Sequence, residues 1–435
     1  MNSFNENPGD PQVVDLILHS AAQLCTLWGG VQRGERLGEL GLISDGALAI
    51  QEGLIAAAGS TEQILENYRS GHMLNASGQV VLPGFVDPHT HLVWAGDRAV
   101  EFEQRVAGAS YLEIMQAGGG IVSTVRSTRE AGLEEMVRAS QARVERMLQH
   151  GTTTAEVKTG YGLELETELK MLQAILELDA DSPLDLVPTF FGAHAIPPEF
   201  TAKGSGGAQA YTELVAGEML PAVKAWWGEH AADRPLPYVD VFCEDGAFSL
   251  AQSRTILEAA RALGFPLKIH ADEFRGLGGT GLAVSLGAAS ADHLVQTPDE
   301  DIQALGGSDT VAVALPCTPF GLAEHEYTPA GAIIAAGGIL AIATDLNPGT
   351  AWCENIQMAI ALATRYMGIT PAQAIAAATI NAAAAIGRAD RVGSLEAGKQ
   401  ADLILLDIPD YRHLGYRFGT NLVSTTMKRG QILEV

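Results

Sequence analysis

Five residues able to do metal chemistry fall at matching places along the chain. His89 and His91 stand two apart in GFVDPHTH, His270 sits in LKIHAD, His293 in AASADHLV, and Asp345 ends ILAIATD. Residues two apart on a strand point to the same side, so His89 and His91 can share one target. A histidine pair, a third histidine and a carboxylate make a nitrogen and oxygen site for a borderline divalent metal, with room left for water. Any single strand-end histidine is more often a satisfied polar residue than a ligand. Four separate runs that all end in His or Asp are hard to obtain that way, and the set is read as one site.

The elements that must position these residues are short apolar, β-branched runs. They recur at 84–91, 152–158, 186–191, 238–244, 267–272, 288–295, 310–316 and 339–345, with amphipathic segments such as 134–149, 164–178, 252–263 and 371–387 between them. Apolar strands covered on both faces are what a parallel sheet requires. Eight in strand–helix alternation predict an α/β chain with a (β/α)8 TIM-like barrel, whose active site lies at the C-terminal strand ends. Connections 92–133 and 192–237 are too long for simple loops and read as excursions over the barrel mouth, with Gly204 to Gly207 as a flexible lid turn. Residues 13–82 and 386–435 have a short-strand texture, including a turn at Glu52-Gly53. They predict a small composite β-sandwich domain built from both termini around a barrel at 83–385, with 1–12 a disordered tail.

Composition bounds the partners. Lys plus Arg number 27 against 52 Asp plus Glu, a net charge of −25. That field repels phosphate backbones and anionic lipid, so neither nucleic acid nor membrane is expected. Four scattered cysteines without a C-x-x-C pair argue against a disulfide framework or zinc ribbon and suit a reducing cytoplasm. The opening MNSFNENPGDPQ lacks the features of a signal peptide. The apolar run 330–344 is short of the ~20 residues that span a bilayer. GGG at 118–120 lacks the strand and helix context of a nucleotide loop. A cytoplasmic enzyme is expected.

PGFVDPHTH, the HADE around His270, Asp292-His293 and the TD of the eighth run resemble the metal-dependent amidohydrolase superfamily, which the composite β-domain also fits. More narrowly, HLVWAGDR, GGGI with TVRSTR, KTGYGL, FFGAHAIPPE and DLNPGT resemble the imidazolonepropionase family, over roughly residues 80–400. That family opens 4-imidazolone-5-propanoate to N-formimidoyl-L-glutamate in histidine breakdown. The resemblance implies that His89, His91, His270 and Asp345 bind one zinc or iron ion. The fourth strand ends in Cys243-Glu244, without the bridging lysine of binuclear members. Lys158, at the end of the second strand, is in the wrong position for such a bridge and reads as a barrel-mouth lysine paired with Glu156 or Glu164.

The same resemblance makes Asp345 the proton carrier and His293 the holder of the attacking hydroxide or oxyanion. Glu273 becomes the glutamate that meets a ring nitrogen. Arg98, seven residues after His91, would clamp the substrate's propionate. Tyr161 would add a hydroxyl and His194 a contact to the ring, while Asn347, Gly349 and Thr350 would hold the product-side carboxylates, with Tyr111 a weaker candidate. A homodimer acting on a small anionic substrate is implied. DLNPGT departs from the family pattern, which has Phe second and Ser last; threonine keeps the hydroxyl. The alternative is a mononuclear deaminase of a purine, pyrimidine or amidine ring. It would share the ligands and Glu273 but need no carboxylate clamp. A non-enzymatic scaffold would have lost metal ligands.

Overall fold

The computed structural model describes residues 11–108 and 119–434. Tyr111 and Gly118, like residues 1–10, lie outside the described residues. Eight parallel strands run in sequence order around a barrel: β1 (Phe85–Asp87), β2 (Thr152–Lys158), β3 (Asp185–Ala193), β4 (Tyr238–Cys243), β5 (Lys268–Ala271), β6 (Ser290–His293), β7 (Val311–Ala314) and β8 (Ile339–Ile342). Their residues are almost wholly buried, inward against one another and outward against helices such as Leu133–Gln149, Leu165–Asp181 and Leu250–Ala262. This double covering keeps the outward face of each strand apolar, while polar and charged side chains such as Glu156, Lys158, Lys268 and Asp292 are enclosed on the inward face.

The seam between β1 and β8 is closed differently from the others. Pro88 follows β1 and has no N–H to give. The Asp87 carboxylate instead accepts the Thr344 N–H at 3.1 Å and the Thr344 hydroxyl at 2.5 Å. Beyond it the His89 carbonyl accepts the Asp345 N–H at 3.2 Å, and the His91 N–H donates to the Leu346 carbonyl at 2.8 Å.

A second sheet of eight strands draws on both ends of the chain. Its order is Gln431–Ile432, Val423–Lys428, Leu403–Leu406, Val80–Pro83, Leu16–Cys25, Leu42–Gln51, Leu54–Ser60, with Met73–Asn75 beside Leu16–Cys25. Glu52 and Gly53, at φ 53° and 75°, form the tight turn expected there. Both central residues need a positive φ, as hairpin turns of this hand do.

Local expectations needed correction in four places. Gln12, placed in the loose tail, pairs through Gln12–Val13 with Tyr68–Arg69. The excursion 192–237 is largely one helical run, Gly207–Leu214, a π-helical Val215–Met219, and Leu220–His230. The lid turn is instead a 3-10 turn over Gly204–Gly206 that leads into this run. Gly207 is buried where a Cβ would overlap the Phe200 carbonyl. The Ala-rich segment 371–387 is two helices, Pro371–Ala377 and Ile380–Ala385, broken where Thr379 leaves helical geometry. All four cysteines are free thiols. Among the described residues no helix is long and apolar enough to cross a membrane.

Candidate active site

At the C-terminal end of the barrel, the imidazoles of His91, His270 and His293 gather around His89, their ring centroids 4.4–5.4 Å from its own. His89 and His91 follow β1, and His270 lies on the inner face of β5. His293 is less simple. Alternation sends Asp292 inward, so its neighbour should point out. His293 and Leu294 both adopt positive φ, 79° and 62°, and this turns the ring back into the barrel. Asp345, beyond β8, also has a positive φ of 54°. Left-handed backbone is costly for such residues and concentrates at functional sites.

Ligand atoms of His89, His91 and His270, and again of His89, His293 and Asp345, lie within 4.8 Å of one another. His89 gives its Nδ1 to Asp292 at 2.7 Å and His270 its Nδ1 to Asp240 at 2.9 Å. Each ring therefore turns a bare Nε2 toward the common space. These two Nε2 atoms and Nδ1 of His91 are buried with no hydrogen-bond partner among the described residues. An unpaired buried polar atom is costly, and the two Nε2 atoms, grouped with a ligand atom of His91, fit a divalent cation. Asp345 Oδ1 is 3.5 Å from His89 Nε2 and 3.6 Å from His91 Nε2, while Thr318 donates to its Oδ2 at 2.5 Å. Burial, reinforced by the Lys158 ammonium and the other imidazoles, holds His89 and His270 well below the ordinary imidazole value. Burial also holds His293 down to about 3 and raises the Asp345 carboxyl to about 7.

The remaining candidates ring this centre. Glu273 curls back after β5 until its Oε1 is 3.6 Å from His293 Nδ1. Burial and the Asp345 carboxylate push its carboxyl well above the usual range. The His194 ring stacks on His91 and Phe191 at 5.0 and 4.5 Å, with Nδ1 on the Gly160 carbonyl at 3.0 Å. Tyr161 is buried on a loop whose Gly160, Gly162 and Leu163 amides all donate to Glu168. Arg98 is paired through Nε with Glu101 at 2.7 Å, and the end of the glycine loop donates to the same carboxylate from Gly120. Its Nη1 lies against Gly349, where a Cβ would come within 2.4 Å. The Arg98 loop is pinned by Arg143, whose guanidinium lies 3.3 Å over the Trp94 ring and donates to the Leu92 and Trp94 carbonyls. Asn347, Gly349 and Thr350 form one turn, with both amides donating to Asn347 Oδ1 at 2.8 Å.

Lys158 is not at the mouth. It is sealed inside the barrel, 2.6 Å from Glu156 and 2.8 Å from Asp240, and Glu164 is held elsewhere, near Arg129 and Thr167. Sequence reading missed Asp240, Lys268 and Thr318, and gave Asp292 no role. A charged residue inside an apolar strand run was the available signal for the first two. His19, His72, His150, His230, His325 and His413 are outside the cluster of rings.

A parallel barrel with histidines and a carboxylate at its C-terminal rim defines a metal-dependent hydrolase, and the family model described as amidohydrolase family matches residues 80–433. The chain belongs to that family. Within it, the chain is 53% identical to the imidazolonepropionase of Herpetosiphon aurantiacus over 402 residues, 92% of this chain and 93% of that protein. It is 50% identical to the imidazolonepropionase of Chloroflexus aggregans over 423 residues, 96% and 98% of the two chains. An adenosine deaminase from Xanthomonas campestris, solved with bound zinc, has the same fold at 19% identity and a TM-score of 0.65, covering 97% of this chain and 93% of that one.

Proposed function

We propose that the chain opens the ring of 4-imidazolone-5-propanoate by hydrolysis, giving N-formimidoyl-L-glutamate. The observation that carries this reading is the gathering, at one strand-end rim, of unpartnered imidazole nitrogens with the Arg98 guanidinium against the Asn347–Thr350 turn. Near-full-length likeness to imidazolonepropionases supports it. One ion of zinc or iron per chain, held by His89, His91, His270 and Asp345, would supply Lewis-acid polarisation and an activated water.

The chain's own residues do the rest. Thr318 ties back one oxygen of Asp345 and leaves the other facing the imidazoles, set to take a proton from the attacking water and hand it to the departing ring nitrogen. His293 faces the position where negative charge grows. Glu273, beside it, exchanges a proton with a ring nitrogen. His194 and Tyr161 wall the ring. Arg98, its Nε fixed by Glu101, directs its guanidinium at the propionate, the local cation an anion needs in a protein of net charge −25. We read the enzyme as a cytoplasmic homodimer with no nucleic-acid or membrane partner.

The test follows loss of imidazolone propionate ultraviolet absorbance on adding metal-loaded protein. Decay that needs both metal and Asp345 is expected. No decay, with one ion per chain confirmed, would overturn the substrate and turn attention to ring deamination, read as ammonia release.

A further inference from the structure

Beneath the imidazoles the barrel encloses five charged side chains cut off from solvent: Glu156, Lys158, Asp240, Lys268 and Asp292. Lys158 Nζ is 2.6 Å from Glu156, 2.8 Å from Asp240 Oδ2 and 3.6 Å from Asp292 Oδ2. Lys268 donates to the Pro88 carbonyl at 2.7 Å and stands 3.6 Å from Asp292 and 3.7 Å from Glu156. Asp240 Oδ2 and Asp292 Oδ2 are the same two oxygens that accept Nδ1 of His270 and His89.

Buried ion pairs are weak stabilisers, often no better than apolar packing of the same volume. Five charges gathered against two imidazoles call for another purpose, and the geometry supplies it. A carboxylate that accepts from Nδ1 fixes both the tautomer and the plane of a metal-binding histidine. Lys158 spans the two acceptors with a single ammonium, while Lys268 holds the backbone just before His89.

We propose that Lys158 is a positioning residue for the metal site. It anchors Asp240 and Asp292 together and so keeps His270 and His89 in the Nδ1–H form, with both Nε2 atoms aimed at one point. The inference rests on these histidines being metal ligands, as read above, but not on the identity of the substrate.

The test measures zinc affinity of the full chain by competition with a chromophoric chelator. It also reads the histidine tautomers by proton–nitrogen correlation in metal-free protein carrying labelled histidine. Lys158→Met should weaken zinc binding about 10- to 100-fold, the range for outer-sphere partners of metal ligands, and mix the two tautomers. Glu156→Gln alters the same layer without touching a histidine and should leave both readouts near wild type. Wild-type affinity in folded Lys158→Met, or an equal loss in Glu156→Gln, overturns the proposal.

If Lys158→Met does not fold, Asp292→Ala and Asp292→Asn decide. The alanine should lose affinity, and the asparagine, which retains an acceptor for His89 Nδ1, should recover most of it. Equal behaviour of the two overturns the proposal. Wild-type protein that takes up neither zinc nor iron would sink the metal-site reading itself, whereas zinc binding without imidazolone hydrolysis would leave this inference standing and remove only the substrate.

Discussion

The molecule holds two sheets of eight strands that solve burial in opposite ways. The terminal sheet packs Leu18, Leu24, Leu48, Ile50, Val81, Leu403 and Leu405 into one apolar cluster. The barrel uses its apolar side chains mostly outward, under the helices, and encloses lysines, carboxylates and imidazoles at its centre. Apolar burial contributes stability roughly in proportion to area, whereas enclosed charge contributes little net stability and much orientation. The first sheet therefore stabilises the chain, and the interior of the second spends stability to aim functional groups.

Substitutions on the two sides should separate accordingly. The largest effect belongs to the barrel rim: Asp345→Asn should lower kcat about 100- to 10,000-fold, the range for a positioned proton carrier. Circular dichroism and thermal midpoint should stay near wild type, and a retained kcat would remove Asp345 from the chemistry. Leu405→Ala, in the terminal sheet, should do the reverse. It should cost about 2–5 kcal/mol of stability in denaturant titration and leave kcat/KM of the folded fraction unchanged. A selective loss of activity there would mean that the two sheets are not independent.

Arg98→Ala should raise KM for the propionate substrate about 10- to 100-fold, the loss of charged hydrogen bonds, with kcat largely kept. An analogue without the propionate should show no difference between wild type and variant. The smallest effect is on acid stability. Burial holds the His194 imidazole down to about 4 against an ordinary 6.5. A histidine kept neutral by the fold contributes stability that is present above pH 6.5 and is lost as pH falls toward 4, because the unfolded chain binds the extra proton there. His194→Asn should flatten the stability curve in that window, by roughly 1–3 kcal/mol. An unchanged slope would contradict this account.

Much of this arrangement was legible in the sequence where one physical rule governs. The eight apolar runs announced the barrel because a doubly covered strand admits little else, and the spacing of His89, His91, His270 and Asp345 along them marked the rim. The hairpin at Glu52-Gly53 was readable from its turn residues. What stayed hidden depends on contacts between distant segments. The inward turn of His293 comes from two residues at positive φ, which period-two alternation does not reveal. Arg98 was expected as a carboxylate clamp, whereas its pairing with Glu101 emerges only in the fold. The helical run Gly207–His230 escaped because its glycines and Pro221 resemble a loop, whereas tertiary packing of Tyr211, Val215, Val223 and Trp227 holds it. Thr318 gave no signal, being an ordinary residue at the start of the helix that follows β7.

The seam between β1 and β8 carries a consequence for how the molecule comes into being. Its partners, Asp87 with Thr344, His89 with Asp345 and His91 with Leu346, are separated by about 255 residues, and such distant pairings are slow to form. Because His89, His91 and Asp345 sit on that seam, a chain emerging from the ribosome carries His89 and His91 long before the segment that completes their site exists. The site is therefore incomplete until the last barrel strand docks against the first.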